Sequence, residues 1–394
     1  MGSNLAKAGS IDDETSSLSA RGRVAIAGGF PPPVTGMTLA TDRLYRMLYH
    51  EYTLTRVNFA ENERGDPGNK ISLRRSRAVH RYAKDVRKAS PDVMIYANLS
   101  GSIPGHLRDM YTFRFGISSG NRVICWIHNG NIVRHHISIL RRRSAATISR
   151  KISKYVFVSP LLMREMAPFV KSEKQIVIPY TIDEELLCSE SDIISRKTRD
   201  RPSMLRILYI SNMIRSKGYE DLLEAAALLK ARGVIVHVDF VGRWFAKEHE
   251  SRFQKKIDAA GMEGQVSVHG PIHDRNKVKA MLLTADVFIL PSYYPNEASP
   301  LCLIEALNAG LPVVSTRHAG IPDTIRDGYN GLLAETQNPE DLAQKIIPFL
   351  DDDYRHGIAK NARASFEQTF APEVVKAKWI NLLEVELSGI RAGV

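Results

Sequence analysis

The chain has 394 residues, 44% of them hydrophobic and 25% charged, with a formal net charge of +11. That length suits two domains of ordinary globular composition, and no apolar run approaches the roughly 18–20 residues that cross a bilayer as a helix. Three cysteines, Cys125, Cys188 and Cys302, lie far apart with an odd count and no metal-ligand spacing, which fits a reducing, cytoplasmic compartment.

In chain order, residues 1–22 are polar, partly acidic and without the apolar centre of a secretory signal, so they are expected to stay outside the fold as a disordered leader. The runs "RVAIAGG", "LTRVNFA", "PDVMIYA", "RVICWIH", "KYVFVS" and "QIVIPY" then read as buried strands of a first domain, residues 23–182. After the first of them, "PPPVTGMTLAT" at 31–41 stiffens a loop with prolines and opens a helix at Gly36, where the missing side chain lets backbone approach a phosphate. "RVICWIHNG" puts His128 at the end of a buried strand, a position that is structural or, facing a cleft, functional.

Charge divides the chain unevenly. Residues 1–200 hold 31 Lys and Arg against 19 Asp and Glu, and residues 201–394 hold 23 against 24. No acid occurs between Asp109 and Glu165, a stretch that carries Arg134, Arg141, Arg142, Arg143, Arg150, Lys151 and Lys154. Such a block reads as a solvated face, or as a surface for an anionic membrane or a phosphorylated acceptor, with Arg141–Arg143 as its centre. Nucleic acid is disfavoured, since neither a recognition motif nor an aromatic-interleaved basic strand accompanies the charge.

The polar stretch 183–204 reads as a linker. Beyond it "LRILYIS", "VIVHVDFVG", "QVSVHG", "ADVFILPS" and "LPVVST" read as strands of a second domain, residues 205–370, with "GYEDLLEAAALLKARG" at 218–233 as a glycine-capped helix. Residues 371–394 form a last helix that can return to the first domain. Strand–helix alternation predicts an α/β fold of two facing Rossmann-like domains with parallel sheets, and ligands in such sheets bind beyond the carboxyl ends of the strands.

The most informative stretch is "NEASPLCLIEALNAG" at 296–310. Ser299 is expected as N-cap with Pro300 at the first helical position, and Gly310 followed by Pro312 as the stop. The N–H groups of Leu301 and Cys302 would then receive an anion at the helix start. Glu297 precedes that start, and Glu305 lies inside an otherwise apolar helix, where a carboxylate needs strong partners: ribose hydroxyls, a backbone amide or a basic side chain. Upstream, Lys217 stands before a glycine at a helix start in "YISNMIRSKGYEDLLEA" and can set its ammonium against a phosphate.

These motifs in this order, with "GLPVVST" and "GIPDTIRDGYNGLL" after them, resemble the retaining nucleotide-sugar glycosyltransferases of the GT4 family, whose fold is GT-B. The resemblance covers about 205–370 and is looser before it. It implies that Glu305 binds the donor ribose, that Glu297 contacts the donor sugar, and that the turn Ser299–Pro300–Leu301 holds sugar and diphosphate, with Pro300 lacking one donor that a glycine would supply. It implies a phosphate role for Lys217 and for Gly36, a sugar contact for His128, and backbone recognition of the base by the loop 269–274, which includes Gly270. Where the family carries a Gly-Arg pair this chain has Ser211–Asn212, so Arg215 or Arg243 is expected to supply the missing charge.

The expected reaction moves a hexose from a GDP- or UDP-linked donor to a glycan or lipid-linked acceptor, with retention and without metal or other cofactor, in bacterial polysaccharide or lipopolysaccharide synthesis. An enzyme of this kind would work in the cytoplasm or at the inner face of the plasma membrane. Alternatives are a nucleotide-sugar epimerase or hydrolase of the same fold, for which no acid/base pair is evident, and a non-catalytic nucleotide-binding protein that docks at membranes. A pyridoxal phosphate phosphorylase is disfavoured by length and by the lack of a convincing cofactor lysine.

Overall fold

The computed structural model describes residues 21–391 apart from 33–34, 60–72, 98, 101, 119, 129–145, 199–203 and 245. Most of the leader and all of Arg141–Arg143 therefore lie outside the described residues. Strands β1 (Arg23–Gly28), β2 (Thr53–Asn58), β3 (Val93–Tyr96), β4 (Arg122–Ile127), β5 (Lys154–Phe157) and β6 (Gln175–Val177) form one parallel sheet in the order β2-β1-β3-β4-β5-β6. Strands β7 (Leu205–Ile210), β8 (Val236–Val241), β9 (Val266–Val268), β10 (Val287–Leu290), β11 (Val313–Thr316) and β12 (Gly331–Ala334) form a second, in the order β12-β11-β10-β7-β8-β9. Central strands such as "VMIY" and "VFIL" are buried at every residue, as parallel strands covered on both faces must be.

The two faces of the first sheet are covered by different elements. Tyr96 of β3 pairs in register with Cys125 of β4, so it shares that residue's face and opposes Trp126. On the Tyr96 side lie helix α3 (Ile103–Tyr111) and the π turn Thr112–Gly116 that extends it; Phe113 packs edge-on to Tyr96, and the Tyr96 hydroxyl donates to Asp109 at 2.8 Å. On the Trp126 side the chain's last helix, Pro372–Arg391, returns from the second half and sets Trp379 against Trp126 with ring centroids 5.3 Å apart. Lys376 pairs with Glu51 at 2.7 Å and fixes that return.

Helix α1 (Gly36–Leu48) begins with a reciprocal cap: Thr38 N–H donates to the Thr35 hydroxyl at 3.2 Å, and Thr35 N–H donates to the Thr38 hydroxyl at 2.9 Å. The structure adds to the sequence reading at two places and corrects it at one. The segment 183–204 is no bare linker, since it forms a 3-10 turn at Glu184–Leu186 and a helix at Glu190–Thr198. The Asn308 side chain holds it to the second domain, donating to Leu186 O at 2.7 Å and accepting from Cys188 N–H at 3.2 Å. Strand β12, "GLLA", is short and follows turn residues, so it carries little strand signal in the sequence. Ser299 is not the N-cap: Pro300, with ψ 118°, is the half-in residue, and the helix runs Leu301–Asn308.

Candidate active site

The order of the second sheet reverses between β7 and β10, which places a crevice beyond their carboxyl ends. Two loops meet there, one after β7 and one after β10. Gly218, at φ +79°, lets them approach; a Cβ at this position would lie 2.1 Å from Pro291 O. Tyr293 N–H then donates to Ser216 O at 2.8 Å and ties the loops together.

Across this junction Lys217 Nζ donates to Glu297 Oε2 at 2.5 Å, and the Ser292 hydroxyl donates to the same oxygen at 2.8 Å. The Lys217 ammonium also lies 4.8 Å from the Tyr294 ring centroid. Both charged side chains are nearly enclosed, 14% and 8% exposed, so each is the other's main neutralising partner. From behind, Gly320 N–H donates to Glu297 O at 3.1 Å, and a Cβ on Gly320 would come within 1.8 Å of Ala298 O. The "GIPD" segment is thus the backing plate of the "NEASP" loop, and Asp323 of that segment accepts from Leu161 N–H (2.5 Å) and Arg164 (3.1 Å) of the first domain.

The helix Leu301–Asn308 closes in a Schellman motif, with Leu311 N–H donating to Ala306 O at 2.9 Å and Gly310 N–H to Leu307 O at 3.0 Å. At its other end the N–H groups of Leu301 and Cys302 precede the first helical bond and take no backbone partner among the described residues. Gly36 faces this end from the first domain: a Cβ on Gly36 would touch Leu301 Cδ1 at 3.9 Å. Two helix starts, each partially positive, therefore face one another across the interdomain cleft.

Glu305, one and a half turns in, has a basic partner. Arg275, at the start of the helix Arg275–Thr284, donates to Glu305 Oε1 at 2.7 Å and to Asp183 at 3.0 Å. Arg43 of α1 binds Asp183 with two nitrogens, one at 2.7 Å, donates to Thr181 O at 3.0 Å, and lies 4.0 Å from Glu305. Arg43–Asp183–Arg275–Glu305 is thus one chain of alternating charge that runs from the first domain through the crossover into the second. Burial alone would raise the Asp183 pKa, but the Arg43 hydrogen bond and the charges of Arg43, Arg275 and Arg46 outweigh it and hold the carboxyl below its usual range. Burial likewise acts against the Arg275 charge, and the two carboxylates override it upward.

The other candidates fall around this centre or outside it. Asn212 is exposed in the loop after β7, its carbonyl accepting from Ile214 N–H at 2.7 Å. Arg215 is turned away toward Glu220 at 3.4 Å with 78% of its side chain exposed, so it is not brought to the Lys217–Glu297 pair. Arg243 is exposed, and its carbonyl accepts from Met213 N–H at 3.1 Å. Gly270, at φ +65°, accepts from Gly242 N–H at 2.9 Å, which places the loop after β9 beside the loops after β7 and β8. His128 is packed at 4.4 Å from Trp126 and stacked on Tyr180, with Nδ1 hydrogen-bonded to the Tyr180 hydroxyl at 2.7 Å. Its Nε2 is buried without a described partner, and burial lowers its pKa to about 3, so the ring is neutral at physiological pH.

Arg43, Asp183, Arg275 and Ser292 were not singled out from the sequence. Arg275 follows a helix cap, Asp274, whose carboxylate accepts from Asn276 N–H at 3.0 Å; a cap signal was legible, but its neighbour's reach to Glu305 was not. Among the described residues no three His, Cys, Asp or Glu side chains group as metal ligands, and no helix is long and apolar enough to cross a membrane.

Residues 190–365 match the family described as "Glycosyl transferases group 1". The chain is similar to the "Putative colanic acid biosynthesis glycosyltransferase WcaL" of Escherichia coli (strain K12), 34% identical over 46% of this chain and 45% of that one. It is similar to the "Amylovoran biosynthesis glycosyltransferase AmsK" of Erwinia amylovora, 25% identical over 74% of this chain and 69% of that one. The match to the first of these relatives thus spans less than half the length of that protein. Among solved structures, Anabaena Alr3699/HepE in complex with UDP and glucose superposes with a TM-score of 0.68 at 18% identity, over 92% of this chain and 98% of that one. The sucrose-phosphate synthase of Thermosynechococcus elongatus superposes with a TM-score of 0.71 at 16% identity, over 93% of this chain and 99% of that one. Residues 190–365 thus match the group 1 glycosyl transferases, and the chain has the GT-B fold.

Proposed function

We propose that the protein is a retaining glycosyltransferase that moves a hexose from a UDP- or GDP-linked donor to a glycan or lipid-linked acceptor in the interdomain cleft. The observation that carries this reading is the convergence of Lys217, Glu297 and the Leu301 helix start at the β7/β10 crevice, opposite Gly36. The C1–O bond to the diphosphate breaks as the acceptor oxygen bonds to C1 on the same face, and the leaving phosphate takes the acceptor proton. Negative charge grows on the diphosphate, where the Lys217 ammonium and the two helix starts stabilise it with no metal required. Glu297 aligns the lysine and meets the sugar, and Glu305 accepts from the ribose. The names of the relatives, in colanic acid and amylovoran biosynthesis, support a role in bacterial polysaccharide synthesis, and work at the inner face of the plasma membrane is part of the same proposal.

A thermal-shift screen of nucleotides and nucleotide sugars tests the donor reading, since a ligand that binds only the folded chain raises its melting temperature by mass action. UDP or GDP and their hexose conjugates are expected to stabilise the wild type and not Glu305→Ala. A chain stabilised by none of them would contradict the reading.

A further inference from the structure

The Lys217 ammonium is held from two sides, and only one of them is charged. Glu297 Oε2 takes one of its N–H groups at 2.5 Å, and the Tyr294 ring covers a second side, 4.8 Å away at its centroid. A second carboxylate in place of the ring would compete with a phosphate for the lysine. An aromatic face instead stabilises the enclosed ammonium through the ring quadrupole and leaves its third N–H for a ligand. Burial pushes the Cys302 thiol pKa up, and the Lys217 charge is the strongest influence against it, so the ammonium lies beside the Leu301 helix start.

Tyr294 is itself fixed through its backbone. Its N–H donates to the Ser292 hydroxyl at 3.2 Å, and its carbonyl accepts from Glu297 N–H at 3.1 Å and from His318 Nε2 at 2.9 Å. A carbonyl oxygen only accepts, so His318 carries a proton on Nε2. The loop after β11 thus grips the loop after β10 from behind, and the Thr316 hydroxyl adds a second grip by donating to Ser292 O. Ala319, next to His318, has φ +45°, a left-handed conformation that costs an alanine free energy and persists where the surrounding contacts demand it. That turn aims the imidazole at Tyr294 while it sets Gly320 against Ala298.

We infer that Tyr294 and His318 are positioning residues for Lys217. His318 holds the Tyr294 carbonyl, and the ring so placed keeps the ammonium charged, enclosed and turned toward the Leu301 helix start, where the diphosphate of the donor would lie. The role of the diphosphate rests on the donor reading above; the restraint on Lys217 does not.

Two measurements on the full chain test this. The first is calorimetric titration of UDP against UMP and of GDP against GMP, because the second phosphate is the group that Lys217 would meet. Tyr294→Leu is expected to lower the preference for the diphosphate about tenfold, the scale of a desolvated cation–π contact. His318→Leu is expected to lower it about threefold, the scale of one hydrogen bond. The second needs no ligand: acetylation of Lys217 by a succinimidyl ester, followed by mass spectrometry of its peptide, is expected to quicken in both leucine variants. Tyr294→Phe keeps the ring and His318→Gln keeps an N–H donor, so both are expected to stay near wild type in the two measurements. Leucine variants that lose melting temperature but change neither measurement, or a Tyr294→Phe variant as deficient as Tyr294→Leu, would overturn the inference. A wild type that binds none of the four nucleotides would overturn the donor reading and the phosphate half of this one, and the acetylation rates would then decide the restraint on Lys217 alone.

Discussion

Replacing Arg275 with Leu should expose what holds Glu305 ready. The substitution removes the 2.7 Å bond to Glu305 and the 3.0 Å bond to Asp183, while Asp183 keeps Arg43. Glu305, 8% exposed, is left with Arg43 at 4.0 Å as its nearest cation. Breaking a buried ion pair from one side costs about 3–5 kcal/mol. Arg275 is itself 24% exposed and Arg43 remains, so about 2 kcal/mol of stability is expected to be lost. The larger consequence lies in binding. In the proposed donor site, Arg275 on one carboxylate oxygen leaves the other to accept from a ribose diol, and without it Glu305 is expected to turn toward Arg43. A hydrogen bond to a charged group contributes about 1.5–3 kcal/mol, so nucleoside diphosphate affinity should fall roughly tenfold to a hundredfold. Calorimetric titration with UDP and GDP, each beside its 2′-deoxy form, reads this directly. Arg275→Leu should lose discrimination between the ribo and deoxy forms, and Arg275→Lys should restore part of it. Unchanged discrimination in Arg275→Leu, alongside its loss in Glu305→Gln, would refute the positioning argument and leave the ribose role of Glu305 intact.

Lys217→Met strands Glu297 with only the Ser292 hydroxyl, so urea unfolding should lose about 3 kcal/mol, and adding Glu297→Gln should recover most of it; purely additive losses would show that the pair is not coupled. His128 is neutral in the fold down to about pH 3, whereas the unfolded chain takes up the proton near 6.5. Stability should therefore fall as pH drops from about 6.5 to 4.5, and His128→Asn should flatten that slope in urea titrations; equal slopes would contradict the burial argument. Asp183 acts in a lower window, because its depressed pKa preserves its stabilising charge until the pH falls below the usual carboxylate value of about 3.9. Gly320→Ala forces a methyl group against Ala298 O, so it should displace the 297–300 turn and abolish nucleotide-induced thermal shifts, while Gly36→Ala meets only Leu301 Cδ1 at van der Waals distance and should fold normally.

The sheets were legible because buried parallel strands are continuous apolar runs, and "VFIL" or "RVICWI" can hardly be anything else at their length. Lys217 and Glu297 were each legible as candidates through local motifs. Their contact was not, since 80 residues separate them and only the β7/β10 crossing brings their loops together. The same limit hid the Arg43–Asp183–Arg275 chain: three charged residues in polar surroundings carry no periodicity that marks burial. The start of the helix after Ser299 was misread by one residue, because serine followed by proline matches an N-cap signal and the extended ψ of Pro300 is set by the tertiary loop.

Nucleoside diphosphate release from UDP- and GDP-hexoses in the presence of a bacterial lipid extract, measured for wild type, Lys217→Met and Glu305→Ala, tests the central claim most directly. Wild type should consume one donor and transfer its sugar to extract lipid in retained anomeric configuration, and both variants should be deficient. Absence of turnover with every common donor, or turnover unaffected by loss of Lys217 and Glu305, would contradict it.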